Sequence, residues 1–257
     1  MTKTQEIVTA LLSAREERKP LTALDTKGFT DSKAFYEVQD EYIHRKLESE
    51  NERITGYKIS LTNKGLQDVF HTDDPVYGTL TEETLVKEGE LRRSDFFDPL
   101  LEAELMFIVT EDISAYADPV EIIGKTMIAP GLEIPDSRIK NWFPKISIGE
   151  LIMDNAVTGK ILAGKPIKVN SGTLLDNLSV TLYHDGETVA EGQSSFVLEN
   201  PLNAVVWLNK ILSSQGKRLQ KGMIISSGTF ISPIPLKVGT YRAVFDVFGE
   251  VVLEVVE

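Results

Sequence analysis

The chain has 257 residues with 42% apolar side chains, enough to bury a sizeable core, and a formal net charge of -12 that is unsuited to a phosphate backbone. Nucleic acid is excluded as an expected partner on that ground. Cysteine is absent, so disulfides and thiolate metal or redox sites are excluded, and any metal must sit on oxygen or nitrogen ligands.

The first predicted element is an amphipathic helix from Thr4 to about Lys19, with Ile7, Val8, Leu11 and Leu12 at helical spacing and Pro20 as its stop. A second helix is predicted from about Ser32 to Asn51, capped by Asp31 or Ser32, with Phe35, Val38, Tyr42 and Leu47 on its buried side. From Thr55 onward short apolar runs alternate with Gly, Pro, Asn and Asp, which reads as a strand-rich body. The expected organisation is a helical extension over residues 1–54 and a catalytic domain over 55–257. Within the body, Asp118-Pro119 and Asn200-Pro201 each place a cap before a proline at the first helical position, and the second helix ends near Gly216. Leu178 to Ala190 alternates around Asp185-Gly186, the preferred turn of a tight hairpin. A further strand pair is expected at Thr240 to Phe248 and Glu250 to Val256. No internal repeat is visible. The start, Met1-Thr-Lys-Thr-Gln-Glu-Ile7, lacks the apolar core of a signal peptide, and no run approaches the roughly 18 apolar residues of a membrane span, so no membrane partner is expected and the cytoplasm is the expected address.

Asp98 to Thr110 reads as an apolar strand that carries two carboxylates. Strand alternation puts Glu102 and Glu104 on one face and Ala103, Leu105 and Phe107 on the other. The residues alone leave two readings open: a solvated acidic face, or a buried pair whose repulsion and desolvation a divalent cation removes. Glu133, between Leu132 and Ile134 after Pro130-Gly131, is a third acid in apolar company. Three carboxylates suit Mg2+, Mn2+ or Ca2+. Zinc is disfavoured, since His44, His71 and His184 are the only histidines and none is paired at ligand spacing.

Six segments occur in order: Gly56-Tyr-Lys-Ile-Ser-Leu-Thr62, Pro75-Val-Tyr-Gly-Thr-Leu80, Glu102-Ala-Glu104, Leu132-Glu-Ile-Pro-Asp-Ser-Arg138, Asp154-Asn-Ala-Val-Thr-Gly159 and Asn200-Pro-Leu-Asn-Ala204. Together they resemble the 2-keto-4-pentenoate hydratase and 4-oxalocrotonate decarboxylase family of the fumarylacetoacetate hydrolase superfamily, over nearly the whole chain. The resemblance implies an α+β fold, mixed and mostly antiparallel, with the helices at one end and flank of a curved sheet system. It implies Glu102, Glu104 and Glu133 as ligands of Mg2+ or Mn2+, and Lys58 as the active-site lysine. Without it, Lys58 reads as a surface lysine, since lysine is seldom fully buried. Asp136 is a weaker catalytic candidate, and Arg138, Asp154, Asn155 and Ser227 are candidates for substrate binding.

What the resemblance implies is a divalent-metal-dependent hydro-lyase of aromatic catabolism. It adds water to 2-hydroxypenta-2,4-dienoate (2-keto-4-pentenoate) to give 4-hydroxy-2-oxopentanoate. Its partners would be a small 2-oxo or 2-hydroxy-dienoic acid, further copies of the chain in a homo-oligomer, and a pathway enzyme. Val76 stands where hydratases of the family often carry an acid, and resembles the decarboxylase branch. Asp154-Asn-Ala-Val-Thr-Gly159 leans the other way. Decarboxylation of 4-oxalocrotonate is therefore the alternative reaction, and a noncatalytic subunit of a hydratase-decarboxylase complex the alternative from another class.

Overall fold

The computed structural model describes residues 1–87, 89–170 and 172–257. Helix α1 (Lys3–Glu16) is opened by Thr2, whose hydroxyl accepts from Gln5 N–H while the Gln5 side chain returns a bond to the Thr2 backbone. It stops short of the expected Lys19, and Arg18 turns the chain at φ 51° before Pro20 is reached. Helix α2 (Ser32–Glu50) runs from the Asp31 cap, which accepts from Ala34 N–H, to Asn51 in the left-handed region.

The body then follows as β1 (Ile54–Ser60), α3 (Lys64–Val69), β2 (Val76–Thr81), β3 (Glu90–Arg92), β4 (Leu100–Val109), α4 (Pro119–Gly124), β5 (Thr126–Ile134), α5 (Ile148–Met153) and β6 (Lys160–Ala163). It continues with β7 (Ser179–His184), β8 (Glu187–Gln193), α6 (Pro201–Ser214), β9 (Ile224–Thr229), β10 (Ile234–Pro235), β11 (Gly239–Phe245) and β12 (Gly249–Val256). Asp185 and Gly186 both take positive φ, as a tight turn between β7 and β8 requires. The last expected pair forms as β11 and β12, but β11 ends at Phe245 because Asp246 to Phe248 make the turn, with Val247 at φ 65°.

Two sheets result. One has the order β2-β1-β9-β4-β5-β6, with β10 also pairing β4, and the other β3-β12-β11-β7-β8. Among the described residues, the ladders between named strands are antiparallel except β1–β9 and β3–β12. The expected mixed, mostly antiparallel α+β architecture is therefore the one observed.

One core joins the β4 face bearing Ala103, Leu105 and Phe107 to Leu182, Ala243 and Leu253 of the second sheet and to Leu208 of α6. Each buried leucine or phenylalanine among them contributes about 1.5–3 kcal/mol. A second core lies on the opposite flank, where Val8, Leu11, Val38 and Tyr42 of the first two helices meet Val76, Trp142, Ile152 and Val157. The helices of residues 1–54 thus share a core with the sheet. The side of β4 that carries its glutamates lies away from the first core, and the chemistry collects there.

Candidate metal centre

Strand register assembles the site. On neighbouring antiparallel strands Glu102 of β4 stands directly opposite Glu133 of β5, while Glu104 stands opposite Gly131 on one side and Thr229 of β9 on the other. Strand β9 also pairs with β1, where Ser226 is opposite Lys58. Four adjacent strands therefore bring Lys58, Ser226, Glu104, Glu102 and Glu133 together.

Burial decides between the two readings of the acidic pair. Relative exposure is 8% for Glu102, 0% for Glu104, 1% for Glu133 and 0% for Lys58, so a solvated face is ruled out. Lys58 Nζ lies 2.8 Å from Glu133 Oε1 and donates to Ser60 Oγ at 2.8 Å. Glu104 Oε2 accepts the Ser226 hydroxyl and, at 2.8 Å, the Gly228 N–H. Gly228 is required there: at φ +112° a Cβ would come within 2.4 Å of the Thr62 hydroxyl oxygen. Burial pushes Glu102 up to about 8, with the Glu133 charge adding to it. Glu104 is driven well above the carboxylate range, by burial first and then by Glu133 and Glu102. One lysine does not offset three buried acids.

The donor set fits a hard divalent cation. One oxygen from each of Glu102, Glu104 and Glu133 lies within 4.8 Å of the others. Glu104 Oε1 has no hydrogen-bond partner, and Glu133 Oε1 has the Lys58 charge beside it but no aligned donor. Unpartnered carboxylate oxygens converging in a buried space are the arrangement Mg2+ or Mn2+ takes with open positions left for another ligand. A second acid trio, Glu50, Glu52 and Glu83, resolves the same repulsion differently. There the Lys46 ammonium sits 3.5, 3.1 and 3.0 Å from the three carboxylates and donates to Thr81 at 2.7 Å.

The other expected site residues form a separate network. Arg138 is forked onto the Asp154 carboxylate and backbone oxygen and donates to Thr158 O at 3.0 Å; Asp154 also accepts the Ser137 hydroxyl. Asn155 Oδ1 accepts Thr79 N–H at 2.7 Å and its Nδ2 donates to Thr79 O at 2.9 Å. Asp136 accepts Phe97 N–H and Asp98 N–H at 2.9 and 2.8 Å, yet burial still pushes it up to about 6. The side-chain hydrogen bonds of Arg138, Asp154 and Asn155 run within this network, to Ser137, Thr158 and Thr79 of β2, not to Glu102, Glu104 or Glu133. They hold a turn in which Asn155, Ala156 and Val157 take φ of 54°, 47° and 51°, a strained run for non-glycine residues that turns the chain beside the site. Asp136, Arg138 and Asn155 also line a polar cavity of about 370 Å3 under α1 and α2, whose cations are paired with acids or backbone oxygens; its size does not make it the reactive centre.

Ser227 is buried with its hydroxyl unpartnered, and strand alternation turns it away from the face of Ser226. Ser226 and Ser60, which hold Glu104 and Lys58, were missed in the sequence. Ser60 was findable, two residues from Lys58 on the same strand face. Ser226 was not, because its contact depends on the pairing of β9 with β4.

A scan of protein-family models finds no match. Among curated proteins, the chain is 32% identical over 243 residues to 2-keto-4-pentenoate hydratase 1 of Dechloromonas aromatica, covering 91% of this chain and 90% of that one. It is 30% identical over 243 residues to 2-oxo-hept-4-ene-1,7-dioate hydratase of Escherichia coli, with the same coverage. Among solved structures, 4-oxalocrotonate decarboxylase from Pseudomonas putida G7, complexed with magnesium and adipate, superposes with TM-score 0.89 at 23% identity, covering 100% of this chain and 99% of that one. Fumarylpyruvate hydrolase from Pseudomonas aeruginosa, in complex with Mn2+ and pyruvate, does so with TM-score 0.62 at 14% identity over 78% of this chain and 88% of that one. The fold is the one these solved enzymes share. At 32% identity over 91% of its length, the chain belongs to the 2-keto-4-pentenoate hydratase family.

Proposed function

We propose that the protein is a divalent-metal-dependent hydratase that converts 2-hydroxypenta-2,4-dienoate and water into 4-hydroxy-2-oxopentanoate. The observation that carries this reading is the buried trio Glu102, Glu104 and Glu133 with unpartnered oxygens, in a chain whose relatives are hydratases. Glu102, Glu104 and Glu133 would hold Mg2+ or Mn2+. Bound there, the cation supplies Lewis acidity toward the carboxylate and 2-oxo oxygen of the substrate. Lys58 carries protons: its Nζ gives one to the terminal carbon of the dienol and takes up the 2-hydroxyl proton in its place, then gives that proton to C3 and takes up the one released by the water that adds at C4. Ser60 fixes the Lys58 side chain, and Ser226 and the Gly228 N–H fix Glu104, so that neither reorients during the reaction. Arg138, Asp154 and Asn155 are assigned a positioning role through the strained turn rather than substrate contact, with Asp136 beside them and Ser227 as a polar group of β9 on the face turned away from Ser226.

Decarboxylation of 4-oxalocrotonate is the second reading, favoured by the apolar Val76 opposite Ser60 and by the fold likeness to a 4-oxalocrotonate decarboxylase. Mg2+-loaded protein supplied with each substrate separates them. Loss of the dienoate with formation of the hydroxy-oxo acid is expected, and carbon dioxide release from 4-oxalocrotonate without dienoate turnover would reverse the assignment. Lys58→Met should lower kcat by about 100-fold or more while the protein still binds Mg2+. On the family resemblance we also infer a cytoplasmic homo-oligomer, whose size light scattering on the purified protein would give.

A further inference from the structure

Lys58 Nζ carries three N–H donors, one of which goes to Ser60 Oγ at 2.8 Å while the ammonium also lies 2.8 Å from Glu133 Oε1. A serine hydroxyl has one donor and two acceptor sites. Lys58 takes one acceptor site of Ser60, and among the described residues no group accepts the Ser60 proton. Strand alternation puts Ser60 on the Lys58 face of β1, at the half-buried end of the strand. There it borders the small cleft beside Glu102, whose other polar side chains are Thr62, Trp142 and Thr229. The Thr229 hydroxyl donates to Ile231 O at 2.9 Å, Trp142 Nε1–H donates to Asp98 O at 2.8 Å, and the Thr62 hydroxyl packs against Gly228. Val76, directly across the ladder from Ser60, offers no polar side-chain atom. Ser60 is therefore the hydroxyl that joins Lys58 to the space beside Glu102.

Water addition makes two demands on Lys58. Its Nζ gives a proton to C3, and the water that attacks C4 must lose one. A nitrogen whose N–H lies along the forming C3–H bond has no lone pair free for a water on the neighbouring carbon until that transfer is complete. We infer that Ser60 is a catalytic residue of the water-addition step, a relay between the attacking water and Lys58. The inference rests on the proposed hydration at Glu102, Glu104 and Glu133. As the water oxygen bonds to C4, one water O–H bond breaks and its proton passes to Ser60 Oγ, while the Ser60 hydroxyl proton passes to Lys58 Nζ, which has given its own to C3. Serine ends as the hydroxyl it began as and lysine as the ammonium, so the net change is one H at C3 and one OH at C4. The preceding ketonisation, in which the dienol is protonated at C5, consumes no water and does not draw on the Ser60 proton.

Two rates measured by NMR on the Mg2+-loaded protein in D2O separate a relay from a group that only steadies Lys58. Deuterium entering C5 of 2-hydroxypenta-2,4-dienoate reads the ketonisation, and formation of 4-hydroxy-2-oxopentanoate reads the water addition. Ser60→Ala is expected to slow water addition about tenfold or more beyond its effect on deuterium entry, with the 2-oxo-3-enoate accumulating. Ser60→Thr keeps the hydroxyl and should show no such split, whereas its isostere Ser60→Val should show it in full, a comparison that stands even where the alanine variant does not fold. Equal slowing of both steps, no slowing of either, or a split as large in Ser60→Thr as in Ser60→Val overturns the relay while the hydratase reading stands. If the wild-type protein adds no water to the dienoate, the hydratase reading falls and the relay falls with it.

Discussion

Glu102 and Glu133 face each other across a ladder with Glu104 two residues along, and the arrangement stores a conflict in the metal-free chain that a cation relieves. That conflict predicts opposite effects of one substitution. Glu104→Gln retains an acceptor for Ser226 and Gly228 but removes a charge that burial disfavours, so in the presence of a chelator at pH 8 it should melt at or above the wild-type temperature. With Mg2+ at about 100 times its dissociation constant, wild type should gain about 2.7 kcal/mol, or roughly 5–10 °C, and the variant less than half of that. Thermal melts with and without Mg2+ check both signs. The three acids stood out in the sequence because acids in apolar runs break a strong rule, and period-2 alternation put Glu102 and Glu104 on one face, but only the family resemblance made them one set. What joins Glu133 to them is β4–β5 register, which no local pattern encodes.

The helices α2 and α6 and the hairpin at Asp185-Gly186 were legible because their cap and turn residues act locally. Helices α3 and α5 escaped, each only six residues long, although Ser147 and Glu150 form a capping box that marks the start of α5. The turn at Asn155 to Val157 was illegible for another reason. Asn155 tolerates the left-handed region but Ala156 and the β-branched Val157 do not favour it, and the conformation persists because Asn155 bridges both backbone groups of Thr79 while Arg138 grips Asp154. Asn155→Ala should therefore destabilise the protein by about 2–4 kcal/mol, since the Thr79 N–H and C=O lose their partners in a buried place. Released strain at Val157 should also raise KM for the dienoate, by about tenfold, more than it lowers kcat. Urea denaturation and steady-state kinetics on the same preparation measure the two effects.

At the scale of the molecule, two cores flank one sheet, and charged groups on the helical flank give folding a pH dependence of mixed sign. Burial raises Asp136 to about 6 from an ordinary 3.8, so between those values the folded chain keeps a proton the unfolded chain has released. Stability from this group falls as pH rises from about 4 to 6, by about 3 kcal/mol at most. Glu83 behaves oppositely. Burial works against its charge, but Lys46, Lys160 and Arg15 outweigh it and hold Glu83 at about 2, so its contribution is present above pH 4.5 and is lost as pH falls toward 2. Urea midpoints measured in Mg2+ from pH 4 to 6.5 should decline more steeply for wild type than for Asp136→Asn, the difference isolating Asp136.

The ammonium of Lys46 is a counter-ion tied to the chain, which no chelator removes and no change in cation supply dilutes. On the proposed assignment the carboxylates of β4 and β5, which have the single Lys58 ammonium beside Glu133, would instead be balanced by an ion that must arrive from solution. Withdrawal of divalent metal should accordingly be felt in the sheet centre and not in the helical layer, so that the layer packed under α1 and α2 keeps its shape while the reactive centre waits to be refilled.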